Sequence, residues 1–135
     1  MHDRSERLER FAIRYARVAL GAAFVAAVAS RLGLVGGHDF AGFERYTAQV
    51  NSFMPAFTIP YLARAATVLE AGLGIALIVG LWPRWVALGA ALLLAVFGTA
   101  MAISFGIGSP LEYSVFSASA CALLLSTRTS RGHEG

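Results

Sequence analysis

Residues 85–105, WVALGAALLLAVFGTAMAISF, contain no charged side chain, and this run most restricts what the chain can fold into. A helix needs about 20 apolar residues to cross the roughly 30 Å hydrocarbon core of a bilayer, and this run supplies them. Hydrophobic residues make up 57% of the chain and charged residues only 14%. An average soluble domain has about 25% charged residues. The run and the composition together predict an integral membrane protein.

Four segments are apolar enough to span the membrane, and Gly or Pro residues separate them. They cover residues 11–35, 61–81, 85–105 and 110–127. Only Trp82, Pro83 and Arg84 link the second segment to the third, which forces these two helices into an antiparallel hairpin. We therefore predict a single all-α domain over residues 1–135. It is an integral membrane four-helix bundle, and residues 128–135 form a flexible tail.

The one long connection, between the first two spans, carries an amphipathic pattern. Between Phe40 and Met54, apolar side chains recur near helical spacing, and polar side chains fall mostly on the other side. Asp39 stands where it can cap such a helix. We predict a short amphipathic helix over residues 40–53 in this first outer loop, which lies on the outer surface or caps the bundle. Its phenylalanines are expected to serve packing.

Local signals also predict how the spans begin and pack. Ser109 followed by Glu112 fits a capping box at the start of the last span. Gly74, Gly89 and Gly98 lie within the middle spans, where small residues let helices approach closely.

The arginines predict how the chain is oriented in the membrane. All basic residues are Arg, and four spans place both termini on one side. That side holds eight of the 11, and the other holds Arg31, Arg45 and Arg64. By the positive-inside rule, both termini lie in the cytoplasm of a bacterial inner membrane. An Ala27-Val28-Ala29 pattern leaves signal-peptide cleavage open as an alternative.

Glu70 is a carboxylate near the centre of an apolar span, YLARAATVLEAGLGIALIV. A charge at the bilayer centre costs about 2.5–3.5 kcal/mol, so Glu70 is expected to face the bundle interior. Arg17 is the expected partner, because its long side chain can reach inward from the neighbouring span. Tyr15 and the hydroxyls of the fourth helix are the other candidates. Two roles stay open: a structural lock between helices, or a proton relay or ligand group.

Arg31 and Arg64 lie at similar depths near the outer edge of adjacent spans. With Arg45 they could form a cationic mouth for an anionic group, or they could snorkel to lipid head groups. Glu70, Arg17, Arg31 and Arg64 are the predicted ligand or proton-relay residues.

Most enzyme and nucleic-acid classes have no support in this sequence. The three histidines and the single Cys121 do not cluster as metal ligands, and no CxxC, P-loop or nucleophile motif occurs. No basic stripe accompanies a nucleic-acid reading motif. We predict a protein without catalytic activity of its own.

The run VLEAGLGIALIVGLWPRWVALGAALLLAVFGTAMAI resembles the DoxX family of small bacterial membrane proteins. Its matching features are Glu70 in an apolar helix, Gly80, Arg84 after a tight turn and an Ala/Leu-rich helix. The stretch GIGSPLEYSVFSASACALLL is similar to the last helix of one branch of that family. The resemblance implies a four-helix inner-membrane bundle, with some members working in thiol or sulfur redox chemistry or beside quinone.

From the resemblance we expect a non-catalytic membrane subunit or anchor of a redox complex, with a quinone as a possible cofactor. The expected partners are the lipid bilayer, a membrane or soluble redox protein, and a second copy of the chain. A self-contained thiol relay needs paired cysteines, which the sequence lacks. The alternatives are a small oligomeric transporter or proton-coupled permease, and a purely structural membrane protein.

Overall fold

A computed structural model describes residues 2–34 and 39–134, and the described residues form helices without any strand. The helices are α1 His2–Arg31, α2 Phe40–Val50, α3 Ile59–Val79, α4 Pro83–Phe105, α5 Gly108–Glu112 and α6 Val115–Glu134. A short 3-10 turn, Ala56–Thr58, leads into α3. The prediction of an all-α membrane bundle is confirmed.

Three helical segments are long and apolar enough to cross a membrane: Asp3–Arg31, Ala56–Val79 and Pro83–Phe105. The apolar part of the fourth helix, Val115–Arg128, is shorter. The predicted fourth span over residues 110–127 is interrupted, because Ser114 takes a left-handed backbone conformation with φ 58° between α5 and α6. α6 then continues to Glu134, past the predicted end of the span. The predicted flexibility of residues 128–135 stays a prediction.

The four long helices pack as two pairs. α1 lies mainly against α3 and α4 mainly against α6, and further contacts join α1 to α6 and α3 to α4. The buried core between them is rich in alanine: Leu20, Phe24, Leu77, Ala87, Ala90, Ala91, Ala122 and Leu125. Small side chains let helix backbones approach closely, which is how helices associate in lipid.

Gly21 and Gly74 mark the closest approach of α1 to α3. A Cβ atom at Gly21 would lie 2.8 Å from the carbonyl oxygen of Gly74. A Cβ atom at Gly74 would lie 2.9 Å from the Cβ atom of Phe24. Only glycine fits at these positions without moving the helices apart, so this contact fixes the register of the antiparallel α1–α3 pair.

The connection between α3 and α4 is a tight turn made by left-handed residues. Gly80 has φ 89° and Trp82 has φ 38°. The amides of Gly80 and Leu81 both donate to the carbonyl of Ala76, at 2.8 and 3.0 Å, and close the end of α3. Pro83 then starts α4, a position where its missing N–H has no cost. This end of the molecule is called the turn end below.

Helix α2 covers the opposite end of the bundle, called the α2 end below. The carboxylate of Asp39 accepts from the Gly42 amide at 2.8 Å, which confirms the predicted cap. Val50 is fully buried in a small cluster with Ala100, Met101 and Val115. The Tyr46 ring stacks on Phe105 with centroids 6.3 Å apart. The helix ends at Val50, before the predicted residue 53, and Phe53 and Met54 are exposed.

The capping-box prediction at Ser109 is wrong. α5 begins at Gly108, so its N-cap is Ile107, two residues before Ser109, and no side-chain hydrogen bond caps it. The Tyr113 and Ser114 amides instead donate to the carbonyls of Ser109 and Leu111, so the segment closes as a short separate turn of helix.

Candidate functional site

Glu70 and Arg31 form an ion pair between α3 and α1, in which the Arg31 guanidinium donates to the carboxylate. Each side chain is only 12% exposed. Arg31 was predicted to bind anions or snorkel to lipid, and Arg17 to pair with Glu70. The predicted Arg17–Glu70 pair is wrong, because Glu70 pairs with Arg31.

The direction in which helical side chains lean explains this pairing. Side chains lean toward the N-terminus of their own helix. In the antiparallel α1–α3 pair, Arg31 therefore leans toward the turn end and Glu70 toward the α2 end. Measured along the helix axes from the Gly21–Gly74 contact toward the α2 end, the backbone of Arg31 lies about 15 Å away and that of Glu70 about 6 Å away. The two long side chains close that difference from both directions.

Arg17 leans away from Glu70 and ends at the turn. Its guanidinium lies 3.1 Å from the position that a Cβ atom at Gly80 would occupy. Its Nε is buried without a hydrogen-bond partner among the described residues. The Arg17 side chain therefore packs against the α3–α4 turn, at the opposite end of α3 from the ion pair.

The depth of Glu70 explains why it is paired. Glu70 lies about 14 Å from the end of α3 at 1.5 Å per residue, well inside the apolar segment. An unpaired charge at such a level costs about 2.5–3.5 kcal/mol. The Glu70 carboxylate and the Arg31 guanidinium neutralise each other there. This pairing supports a role for Glu70 in locking α3 to α1.

Phe43 from α2 completes a three-helix junction around Arg31. The Arg31 guanidinium carbon lies 3.8 Å from the centroid of the Phe43 ring, a cation–π contact. Arg31 therefore touches a carboxylate on α3 and an aromatic face on α2 at the same time. The end of α1 is tied to both of the helices that follow it.

A cavity of about 690 Å³ opens beside this junction, between the last turns of α1 and the first turns of α2. Its polar lining residues are Ser30, Arg31, Asp39, Arg45 and Tyr46. Burial raises the pKa of Tyr46 above its ordinary value, and the neighbouring Tyr113 adds to the rise. The Tyr46 hydroxyl therefore keeps its proton at neutral pH and can donate it in a hydrogen bond.

The four predicted site residues do not converge. Arg31 and Glu70 meet, Arg17 lies at the turn end, and Arg64 is an exposed residue of α3. Two residues of the predicted cationic mouth, Arg31 and Arg45, line the cavity, and Arg64 does not. A quinone pocket that uses all four residues is therefore not formed, and a bound quinone stays a prediction.

Sequence reasoning missed Ser30, Phe43 and Tyr46 as site residues. The phenylalanines of α2 were predicted to serve packing. Phe43 does pack, but its ring lies against the Arg31 guanidinium. A better signal is the order Ser30-Arg31 at the end of a helix, followed closely by an aromatic amphipathic helix.

Cys121 lies elsewhere, in a groove of about 320 Å³ between α1 and α6. Glu9 and Arg128 also line that groove and form an ion pair at 3.2 Å. Across residues 2–34 and 39–134, no three His, Cys, Asp or Glu side chains are grouped as a metal site. A dithiol exchange at Cys121 would need a partner's sulfur.

Comparison with protein families gives one match. The model of a family described as "Methylamine utilisation protein MauE" matches residues 9–112, which is most of the chain. This finding corrects the resemblance to the DoxX family, which rested mostly on the composition of the helices. Comparisons with curated proteins and with solved structures gave no match.

Proposed function

The chain belongs to the MauE family of methylamine utilisation proteins, and from this membership we propose that it is an inner-membrane accessory protein of methylamine utilisation. It supports the maturation or anchoring of a redox partner and performs no catalysis alone. Its family and its apolar helices make it a membrane protein. The bacterial inner membrane and cytoplasmic termini follow from the distribution of arginines and belong to the proposal.

The family match carries this proposal, and the structural feature that supports its partner-binding part is the buried Arg31–Glu70 pair with its contact to Phe43. A charged pair inside an apolar bundle contributes little net stability compared with apolar side chains of similar size. We infer that this pair instead selects one arrangement of the helices. Here the selected arrangement is the position of α2 over the bundle end.

Helix α2 is the element most suited to meet a partner. It is the longest described helix outside the apolar spans, and its polar side includes exposed Arg45 and Gln49. By fixing the start of α2, the ion pair presents that side at the membrane surface. A partner that recognises α2 would lose its contact when the pair is broken, even though the bundle persists.

The test uses a bacterium that carries this chain. We expect deletion of the gene for this chain to abolish growth with methylamine as the nitrogen source. Growth with ammonium as the nitrogen source stays normal, because the defect is confined to methylamine utilisation. The chain with Glu70→Gln restores growth only in part, and Arg64→Gln, an exposed change on the same helix, restores it fully. A tag on the chain confirms equal amounts in the membrane. Normal growth of the deletion strain on methylamine would refute the proposal.

A pull-down of the tagged chain in mild detergent identifies the partner. We expect a redox protein in stoichiometric amount, and a lipid extract of the same sample shows whether quinone accompanies it. Loss of this protein from the Glu70→Gln sample would connect the ion pair to partner binding. Recovery of the chain alone would instead favour transport or a structural role, and flux into proteoliposomes would separate those two.

A further inference from the structure

The cavity at the α2 end offers more hydrogen-bond donors than acceptors. Arg31 and Arg45 bring two guanidinium groups, and Ser30 and Tyr46 bring hydroxyls. The carboxylate of Asp39 also lines it, but one of its oxygens is engaged by the Gly42 amide. Such a lining is suited to oxygen atoms that carry negative charge.

The two arginines differ in how they are held. Arg31 is fixed by Glu70 and by the Phe43 ring, so part of its charge is already balanced. Arg45 forms no ion pair with any side chain in the described part of the chain. It lies at the exposed rim, with Nη2 3.7 Å from the position that a Cβ atom at Gly42 would take. Arg45 is therefore the cation free to neutralise a bound group.

The cavity is also larger than an inorganic anion needs. Its volume of about 690 Å³ falls in the range of about 300–1,000 Å³ in which proteins bind whole organic molecules. Ala27 and Phe43 supply carbon surface to its wall. An occupant that fills it has an apolar body in addition to its charged group.

We propose that this cavity binds an oxyanion head group joined to an apolar body, with Arg45 as the neutralising cation and Tyr46 and Ser30 as hydrogen-bond donors. Such a head group reaches the cavity either on a lipid of the surrounding bilayer or on a soluble amphiphile. This inference is independent of the proposed role in methylamine utilisation, because it concerns only the lining of the cavity.

The test measures binding of dodecyl phosphate to the full chain in a nonionic detergent by calorimetry. Wild-type protein binds the probe saturably with one site per chain. Arg45→Gln weakens binding about tenfold or more, as expected for loss of a charge-assisted hydrogen bond. Tyr46→Phe, which keeps the ring, weakens it severalfold. Arg64→Gln, an exposed arginine outside the cavity, changes it less than twofold.

Equal weakening by Arg45→Gln and Arg64→Gln would overturn the proposal, since general attraction to basic protein would explain both. Absence of saturable binding to wild-type protein would also overturn it. Unchanged elution and melting temperature show that each variant is folded. Inorganic phosphate is the second probe, and binding as tight as that of dodecyl phosphate would remove the apolar body from the proposal.

Phosphatidylglycerol nanodiscs distinguish the two sources. Native mass spectrometry of protein released from them shows a retained lipid on the wild-type chain and on Arg64→Gln if the bilayer supplies the ligand. Loss of that lipid in Arg45→Gln supports the lipid source. Dodecyl phosphate binding without a retained lipid supports the soluble amphiphile.

Discussion

The Arg31–Glu70 pair permits a double-substitution experiment with an asymmetric outcome. Glu70→Leu leaves a guanidinium that cannot lose its proton, so the bundle keeps an uncompensated charge. Arg31→Leu leaves a carboxyl group, which can take up a proton and become neutral. The double variant replaces both with apolar side chains. We expect Glu70→Leu to be the most damaging of the three.

The magnitudes follow from burial, since each side chain is 12% exposed. Removing one partner of a buried pair costs about 3–5 kcal/mol. The charge that Glu70→Leu leaves is on Arg31, the last residue of α1, so the low end of that range applies. We therefore expect Glu70→Leu to lower the free energy of unfolding by about 3 kcal/mol, more than a hundredfold in the equilibrium constant. Arg31→Leu lowers it less, and the double variant lies within about 1 kcal/mol of wild type.

The assay is reversible unfolding of the detergent-solubilised protein by SDS, followed by circular dichroism. The coupling free energy between the two positions comes from the cycle of single and double variants. Arg64→Leu serves as a control on the exposed face of α3, with an expected change within about 0.5 kcal/mol. Additive single effects, with coupling below about 0.5 kcal/mol, would refute the view that the pair acts as a lock.

Four further predictions concern backbone contacts and one phenol. Gly21→Ala lowers the free energy of unfolding by about 1–3 kcal/mol, because its Cβ meets the α3 backbone. Gly72→Ala meets nothing within 4 Å and leaves it unchanged or higher. Ser114→Gly raises the melting temperature, since Ser114 has φ 58° and glycine relieves about 1 kcal/mol there; a lower value would contradict this. The raised pKa of Tyr46 makes stability fall as pH rises above 10.0, and Tyr46→Phe makes that fall shallower in melting experiments.

The sequence was sufficient for the features that depend on neighbouring residues. The uncharged run over residues 85–105, the short link at Pro83 and the cap at Asp39 each depend on local composition, and each is present. The close approach at Gly74 was also anticipated from its size. The break at Ser114 was not, because a serine in a left-handed conformation has no distinctive sequence signal.

The partner of Glu70 could not be read from the sequence. It depends on the register of α1 against α3 and on the direction in which each side chain leans. The register is fixed by Gly21 meeting Gly74, and no local pattern announces which two glycines will meet. The cavity could not be predicted from the sequence either. Its walls come from the end of α1 and the start of α2, and their relative position depends on tertiary packing.

The turn between α3 and α4 also bears on how the protein is made. Three residues separate Val79 from Pro83, and two of them take left-handed conformations that close the turn. Neither helix can therefore settle in lipid far from the other. We therefore expect α3 and α4 to enter the bilayer together, as one helical hairpin.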